Sequence, residues 1–229
     1  GQEVLPVPVH CGPNGKIRSR PGISVMRERL PDSDVVTIRG IRCTSPLRTA
    51  VDGARTAASV RDAVIHLDMM LTAGVIRLRE LDEVVAAHAG RPGIQQVRQA
   101  LSLAVEGSRS PPETRMRLVW ILDARLPMPL INPRVYGLGG RLLGIPDALD
   151  PAAATFLEYD GDDHRDLANH TADNIREELL EEHGLVGVRV TRLDLSGPRH
   201  TLVDRMIRTR RRGLVRDRRR DLWTLSRPA

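Results

Sequence analysis

The sequence predicts an α/β fold in which a small β-plus-helical module precedes a mixed sheet flanked by helices. Three observations predict it. Short β-branched runs alternate with turn residues before residue 45, and four helical apolar patterns follow before residue 107. The patterns in the remaining chain predict a helix, strands, a helix and a strand, in that order. With 229 residues, 41% hydrophobic and 28% charged, the chain can bury a sizeable core.

The first half contains three predicted strands and four predicted helices. Gly-, Asn- and Pro-containing turns separate the β-branched runs, which are Val4–Val9, Ile23–Met26 and Val35–Ile38. Ser45-Pro46 and Ser59 are N-cap signals, and glycines end the later helices. The predicted helices are Leu47–Ala57, Val60–Thr72, Leu78–Ala89 and Ile94–Val105. We assign their apolar faces to the core.

The Gly, Ser and Pro residues between 107 and 112 predict a boundary between separately folding modules, cleavable near Ser108–Ser110. The division is 1–107, 111–200 and an Arg-rich segment at 201–229. The elements predicted after the boundary are a helix at Glu113–Arg125, a hairpin-like stretch at Leu130–Tyr136, strands at Thr155–Tyr159 and Gly187–Thr191, a helix at Ala172–His183 and a helical start to Thr201–Arg220.

Charge and composition favour a polyanionic partner. The formal net charge is +6 and the pI about 10.4, and Lys16 is the one lysine among 35 basic residues. Sparse aromatic residues argue against a stacking platform for single strands. Two cysteines cannot form a disulfide framework, and neither a membrane span nor a signal peptide is expected, so we expect a cytoplasmic protein.

Three carboxylates are candidates for chemistry. Glu158 and Asp160 lie on one face of a predicted strand because side chains alternate, and Asp147 lies one hairpin earlier. Converging carboxylates repel one another unless a cation neutralises them, and Mg²⁺ or Mn²⁺ would do so beside a phosphate substrate. The alternative is an acidic turn that is merely solvated.

Residues 110–195 resemble the very-short-patch-repair-related branch of the PD-(D/E)XK endonuclease superfamily. The matching segments are Ser110–Arg115, Gly140-Arg141, Pro146-Asp147, Glu158–Gly161 with His164, Asp173 with Arg176 and Leu180, and Gly184–Thr191. The resemblance implies a restriction-endonuclease-like core that cleaves DNA with Mg²⁺. It implies that Asp147 and Glu158 are metal ligands, that Glu113 is an accessory acid and that His164 acts at the phosphate or on water. Asp160 stands where the superfamily has its lysine, and Ala148–Pro151 departs from the apolar run usual in this branch.

Gly40–Asp52 resembles a segment of AbiEi-type antitoxins and related actinobacterial regulators. Those proteins often carry a winged helix-turn-helix before this segment. Residues 1–44 show no convincing recognition helix.

The C-terminal arginines are candidate DNA contacts. Between Arg205 and Arg220 there are nine arginines and one acid, Asp217. Such clusters neutralise phosphates, although a packed helix with a solvated basic face is an equal alternative. The candidate contacts are Arg176, Arg208, Arg210, Arg211 and Arg212.

These observations support two functions. The first is a Mg²⁺-dependent endonuclease or nuclease-like effector, acting in phage defence or DNA repair. The alternative is a non-catalytic DNA-binding regulator or antitoxin-like protein that retains a nuclease fold. An adaptor role in phage–host conflict is a third hypothesis, and a protein partner or homodimer is left open.

Overall fold

The computed structural model describes residues 6–161 and 177–228, and it confirms the α/β class. In chain order, two small two-stranded sheets come first, then four helices, then a helix that leads into a four-stranded sheet. No helix within these described ranges has both the length and the apolar character required to cross a membrane.

Two small sheets form the start of the described chain. Strands β1 (Val7–His10) and β2 (Ile23–Met26) pair in parallel. Strands β3 (Val35–Ile38) and β4 (Ile41–Thr44) form an antiparallel hairpin. The strand predictions at Ile23–Met26 and Val35–Ile38 are confirmed, whereas β4 was missed. Its sequence alternates apolar and polar residues over only four positions, and pairing with β3 makes it a strand.

Four helices build the core of the first half. They are α1 (Pro46–Thr56), α2 (Val60–Thr72), α3 (Leu78–Ala87) and α4 (Ile94–Leu101). The Ser45 hydroxyl accepts a hydrogen bond from the Arg48 amide (3.3 Å), and the Ser59 hydroxyl accepts one from the Asp62 amide (3.1 Å). Both serines therefore cap helices as predicted. Val51, Val64 and Leu67 are buried in the centre of this core.

The second half alternates short strands with helices. Its elements are α5 (Pro111–Leu118) with a π-helical turn at Val119–Asp123, β5 (Leu130–Ile131), β6 (Val135–Gly137), β7 (Leu142–Gly144), β8 (Ala148–Asp150), β9 (Thr155–Asp160), α6 (helical at 177–182), β10 (Val186–Thr191), α7 (Arg192–Ser196), α8 (Arg199–Leu214) and β11 (Trp223–Thr224). Strands β10, β9, β8 and β5 form the main sheet in that order, and β11, β6 and β7 form a second one. The predicted Leu130–Tyr136 stretch is therefore not one hairpin, because β5 and β6 belong to different sheets.

The main sheet has two apolar faces. Strands β9 and β10 are parallel, and β8 runs antiparallel to β9. On one face, Leu157 and Val188 pack with Trp120 of the π-helical turn and with Met206 of α8. On the other face, Phe156 packs with Leu149, Leu180, Leu185 and the partly buried Trp223. This second face positions the candidate site.

Buried contacts cross the predicted module boundary. Ser108 is only 1% exposed, and its carbonyl accepts a hydrogen bond from the Thr72 hydroxyl (2.7 Å). Asp68 of α2 forms an ion pair with Arg117 of α5, and Leu118 of α5 belongs to the core of the first half. The expectation of an accessible linker at Ser108–Ser110 is therefore wrong at Ser108, because side chains from both halves enclose it.

Candidate functional site

Asp147 immediately precedes β8, and Glu158 lies in the neighbouring strand β9. Ala148 pairs with Leu157 in the β8–β9 register, so continuing this register by one residue places Asp147 opposite Glu158. Leu149 and Phe156 form another pair of this register and share one apolar cluster. Side chains alternate along a strand, so extending the alternation of β8 by one residue assigns Asp147 to the same face as Glu158.

The backbone holds Asp147 in place from both sides. The Tyr159 amide donates a hydrogen bond to Asp147 Oδ2 (2.8 Å). The Asn132 amide, next to β5, donates one to the Asp147 carbonyl (3.1 Å). Asp147 and Glu158 are both half-buried. The Tyr159 amide therefore positions the Asp147 carboxylate, and the Asn132 amide positions its backbone.

Arg189 extends this pair into a row across three strands. It lies beside Glu158 in the parallel β9–β10 register, so the row runs Asp147, Glu158, Arg189. Its guanidinium lies 3.5 Å from Asp160 Oδ2 and also contacts the Glu177 carboxylate of α6. Arg189 thereby neutralises the carboxylate that would otherwise repel Glu158. The sequence analysis gave Arg189 no role. The register in which β9 and β10 pair cannot be deduced from the sequence of either strand.

Glu113, the predicted accessory acid, forms local hydrogen bonds at the start of α5. Its carboxylate accepts hydrogen bonds from the Arg109 amide (2.8 Å) and the Ser110 hydroxyl (2.9 Å). The Ser110 hydroxyl also accepts a hydrogen bond from the Glu113 amide (3.4 Å), so Ser110 is the N-cap of α5 and Glu113 contributes to the cap. Met116, one turn later, packs on the sheet face opposite to Asp147 and Glu158. The Ser110-x-x-Glu113 spacing was the sequence signal for this role.

Asp147 and Glu158 match the number of carboxylates that proteins usually supply to Mg²⁺. Mg²⁺ is usually held by one or two carboxylates and completes its shell with waters and substrate phosphates. Among residues 6–161 and 177–228, no three His, Cys, Asp or Glu side chains gather into a metal-binding group, so Glu113 and Asp160 do not join the pair. His164 and Arg176 lie outside the described residues.

Arg210, one of the predicted DNA contacts, forms an ion pair with a buried acid. Its Nε donates to Asp150 Oδ2 (2.7 Å), and Asp150 is only 4% exposed. The other predicted contacts of this helix, Arg208, Arg211 and Arg212, are exposed. They leave α8 with a basic outer surface.

A buried set of charges ties the small sheets to the helices. Arg48 forms ion pairs with Asp52 (2.7 Å), Glu28 (3.0 Å) and Asp34 (3.1 Å). Arg55 also contacts Asp52 (2.8 Å). Burial alone would raise the pKa of Asp52, but hydrogen bonds from these two arginines outweigh it and lower the pKa. The sequence analysis assigned no ion pairs to these residues, and the partners Glu28 and Asp34 lie 14 or more residues away from Arg48 in the chain.

Comparison with known proteins gives a family match for the first half. Residues 2–103 match the AbiEi antitoxin C-terminal domain. This match confirms the antitoxin-like resemblance of that half. The endonuclease resemblance of residues 110–195 stays a prediction.

Two relatives span most of the chain. The uncharacterized proteins MT2308 and Rv2248, from two strains of Mycobacterium tuberculosis, are each 30% identical over 169 residues. The aligned part is 73% of this chain and 61% of each relative, so the chain spans about three fifths of their length. No solved structure matches.

Proposed function

We propose that this chain is a DNA-acting hydrolase in which Asp147 and Glu158 hold Mg²⁺ or Mn²⁺ for phosphodiester cleavage, joined to an AbiEi-antitoxin-like first half. The observation that supports the proposal is the position of Asp147 one residue before β8, where the β8–β9 register continued by one residue faces Glu158. A bound divalent ion would polarise the phosphodiester and activate a water at this position.

The chain's own residues support this chemistry in three ways. The Tyr159 amide fixes the Asp147 carboxylate, so the ion would meet a preformed ligand. Arg189 neutralises Asp160 and places positive charge beside Glu158, where an anionic phosphate would approach. The exposed arginines of α8, Arg208, Arg211 and Arg212, supply charge for the DNA backbone.

A non-catalytic DNA-binding regulator is the second candidate. The antitoxin-domain match of residues 2–103 favours it. The ion pairs from Arg189 to Asp160 and Glu177 favour it too, because they would also serve a purely structural carboxylate cluster. Such a protein would bind DNA without cutting it.

Incubation with supercoiled, linear and single-stranded DNA in Mg²⁺ or Mn²⁺ separates the two candidates. We expect cleavage by the wild type and its loss in Asp147→Ala and Glu158→Ala. Glu182→Gln, which removes the charge of an exposed glutamate on α6, is the matched control and should cleave normally.

The same assay tests His164. We expect His164→Ala to slow cleavage by about 10²–10⁴-fold, the contribution of a general base, rather than to abolish it. Cleavage by Glu158→Ala at the wild-type rate would show that the site is elsewhere. DNA binding without cleavage by any form would establish the regulator instead.

A further inference from the structure

The hairpin of β3 and β4, residues 35–44, is exposed from residue 37 to residue 42. Arg39 and Gly40 form a two-residue turn, and both have positive φ angles, 50° and 81°. Positive φ at both central residues is the geometry of a type I′ turn, whose twist matches that of the paired strands. We call residues 35–44 the β3–β4 arm.

The base of the β3–β4 arm is bound to the helical core. The Ser45 amide donates to the Asp34 carbonyl (2.8 Å), and the hydroxyls of Thr44 and Thr49 are hydrogen-bonded (2.7 Å). The buried Arg48 pairs with Asp34 just before β3 (3.1 Å). The arm therefore has a fixed base.

The distal half of the arm exposes apolar surface that the described fold does not use. Ile38 and Ile41 are cross-strand partners on one face and are 56% and 66% exposed. Neither belongs to an apolar cluster of the described chain. Exposed isoleucines beside a tight turn contribute little to folding, so a binding role accounts for them better.

The exposed charged residues within the arm, residues 35–44, are both arginines. Arg39 at the tip and Arg42 on the opposite face are exposed, and neither forms an ion pair with residues 6–161 or 177–228. The acids nearby, Glu28 and Asp34, are held by the inward-facing Arg48. Across residues 6–45 the exposed cations include Lys16, Arg18, Arg20, Arg29, Arg39 and Arg42. The exposed acid in that range is Asp32.

We propose that the β3–β4 arm is a double-stranded DNA contact that enters the major groove. A two-stranded ribbon fits this groove, which is about 12 Å wide and 8.5 Å deep. Four residues of strand reach about 13 Å at 3.3 Å each, enough to bring the tip to the groove floor. Ile38 and Ile41 contact thymine methyl groups there, and Arg39 and Arg42 contact phosphates or guanine edges.

Fluorescence anisotropy with labelled duplex DNA in EDTA, over a series of salt concentrations, tests the arm without cleavage. Arg39→Asn/Arg42→Gln removes both charges, and Asn tolerates the positive φ of the turn. Losing two phosphate contacts should reduce the slope of log affinity against log salt by about 1.8, at about 0.9 per contact. Ile38→Thr/Ile41→Thr keeps β-branching and should weaken binding several-fold with an unchanged slope.

Arg79→Gln/Arg98→Gln is the matched control, because it removes two exposed arginines from α3 and α4. Circular dichroism of every variant checks folding. If the folded arm variants bind duplex DNA with the same affinity as the control, the proposal is wrong. It is also wrong if the variants keep this affinity but lose binding to an acidic protein or an anionic vesicle. The proposed role of the arm rests on the proposed action on DNA. Its binding assay can nevertheless fail or succeed independently of the cleavage assay. Lost binding in the arm variants together with absent cleavage by the wild type would support the arm and refute the hydrolase.

Discussion

The buried ion pair between Asp68 and Arg117 predicts that the two halves unfold together. Asp68 is 0% and Arg117 1% exposed, and Asp68 Oδ2 lies 2.6 Å from the Arg117 guanidinium. The same carboxylate accepts hydrogen bonds from the Thr114 hydroxyl (2.8 Å) and the Val105 amide (2.9 Å). One side chain of α2 therefore satisfies donors on both sides of the boundary near residue 108.

Asp68→Ala would leave Arg117 buried without its counter-charge. Breaking a buried pair from one side costs about 3–5 kcal/mol. At about 2–4 °C per kcal/mol for a chain of this size, the Tm should fall by about 6–20 °C. Asp68→Leu/Arg117→Met removes both charges and should be less destabilising than Asp68→Ala alone. The exposed Asp82→Ala on α3 is the control and should change stability by less than about 0.5 kcal/mol.

Tryptophan fluorescence and far-UV circular dichroism distinguish joint from separate unfolding. Both tryptophans, Trp120 and Trp223, lie in the second half, whereas circular dichroism reports on all helices. We expect the two signals to change together in the wild type and to shift together in Asp68→Ala. An unchanged fluorescence transition in Asp68→Ala would refute the reasoning, because the second half would then be stable without the pair.

Two further predictions follow from other buried contacts. The lowered pKa of Asp52 means that its ionised form stabilises the fold above the ordinary aspartate pKa of about 3.9, and that this stability is lost as the pH falls through the lowered value. Asp52→Asn should therefore be less stable at neutral pH and lose less stability on acidification, as urea unfolding at several pH values would show; an equal loss in both forms would contradict this. Gly213→Ala should destabilise the protein by about 1 kcal/mol or more, despite its better helix propensity, because a Cβ there would overlap the Ala153 carbonyl. Gly139→Ala, which has open space, is its control, and equal thermal stability of the two variants would be inconsistent with this contact.

Local patterns predicted much of the fold. Ser45 and Ser59 each placed a helix start, and apolar spacing predicted α2 at Val60–Thr72. Alternation in β9 correctly separated Leu157 from Glu158, because successive side chains of a strand point to opposite faces. The Ser110-x-x-Glu113 spacing also indicated the capping role of Glu113, but the resemblance to a nuclease favoured a catalytic interpretation.

Long-range contacts could not be predicted in the same way. Arg189 is recognisable only after β10 has been paired with β9. Arg210 pairs with the buried Asp150, whereas Arg211 is exposed, because successive residues of α8 point in different directions. The linker prediction near Ser108 failed because glycine, serine and proline also occur in tightly packed turns. In each case the partner lies many residues away in the chain.

Binding of Mn²⁺ followed by electron paramagnetic resonance tests the central claim most directly, because it reports the ion without requiring catalysis. We expect the wild type and Glu182→Gln to bind one Mn²⁺ and Glu158→Gln and Asp147→Asn to lose it. Mg²⁺ should compete for the same site. Unchanged Mn²⁺ binding in both Glu158→Gln and Asp147→Asn would contradict the assignment of these two carboxylates as the metal ligands.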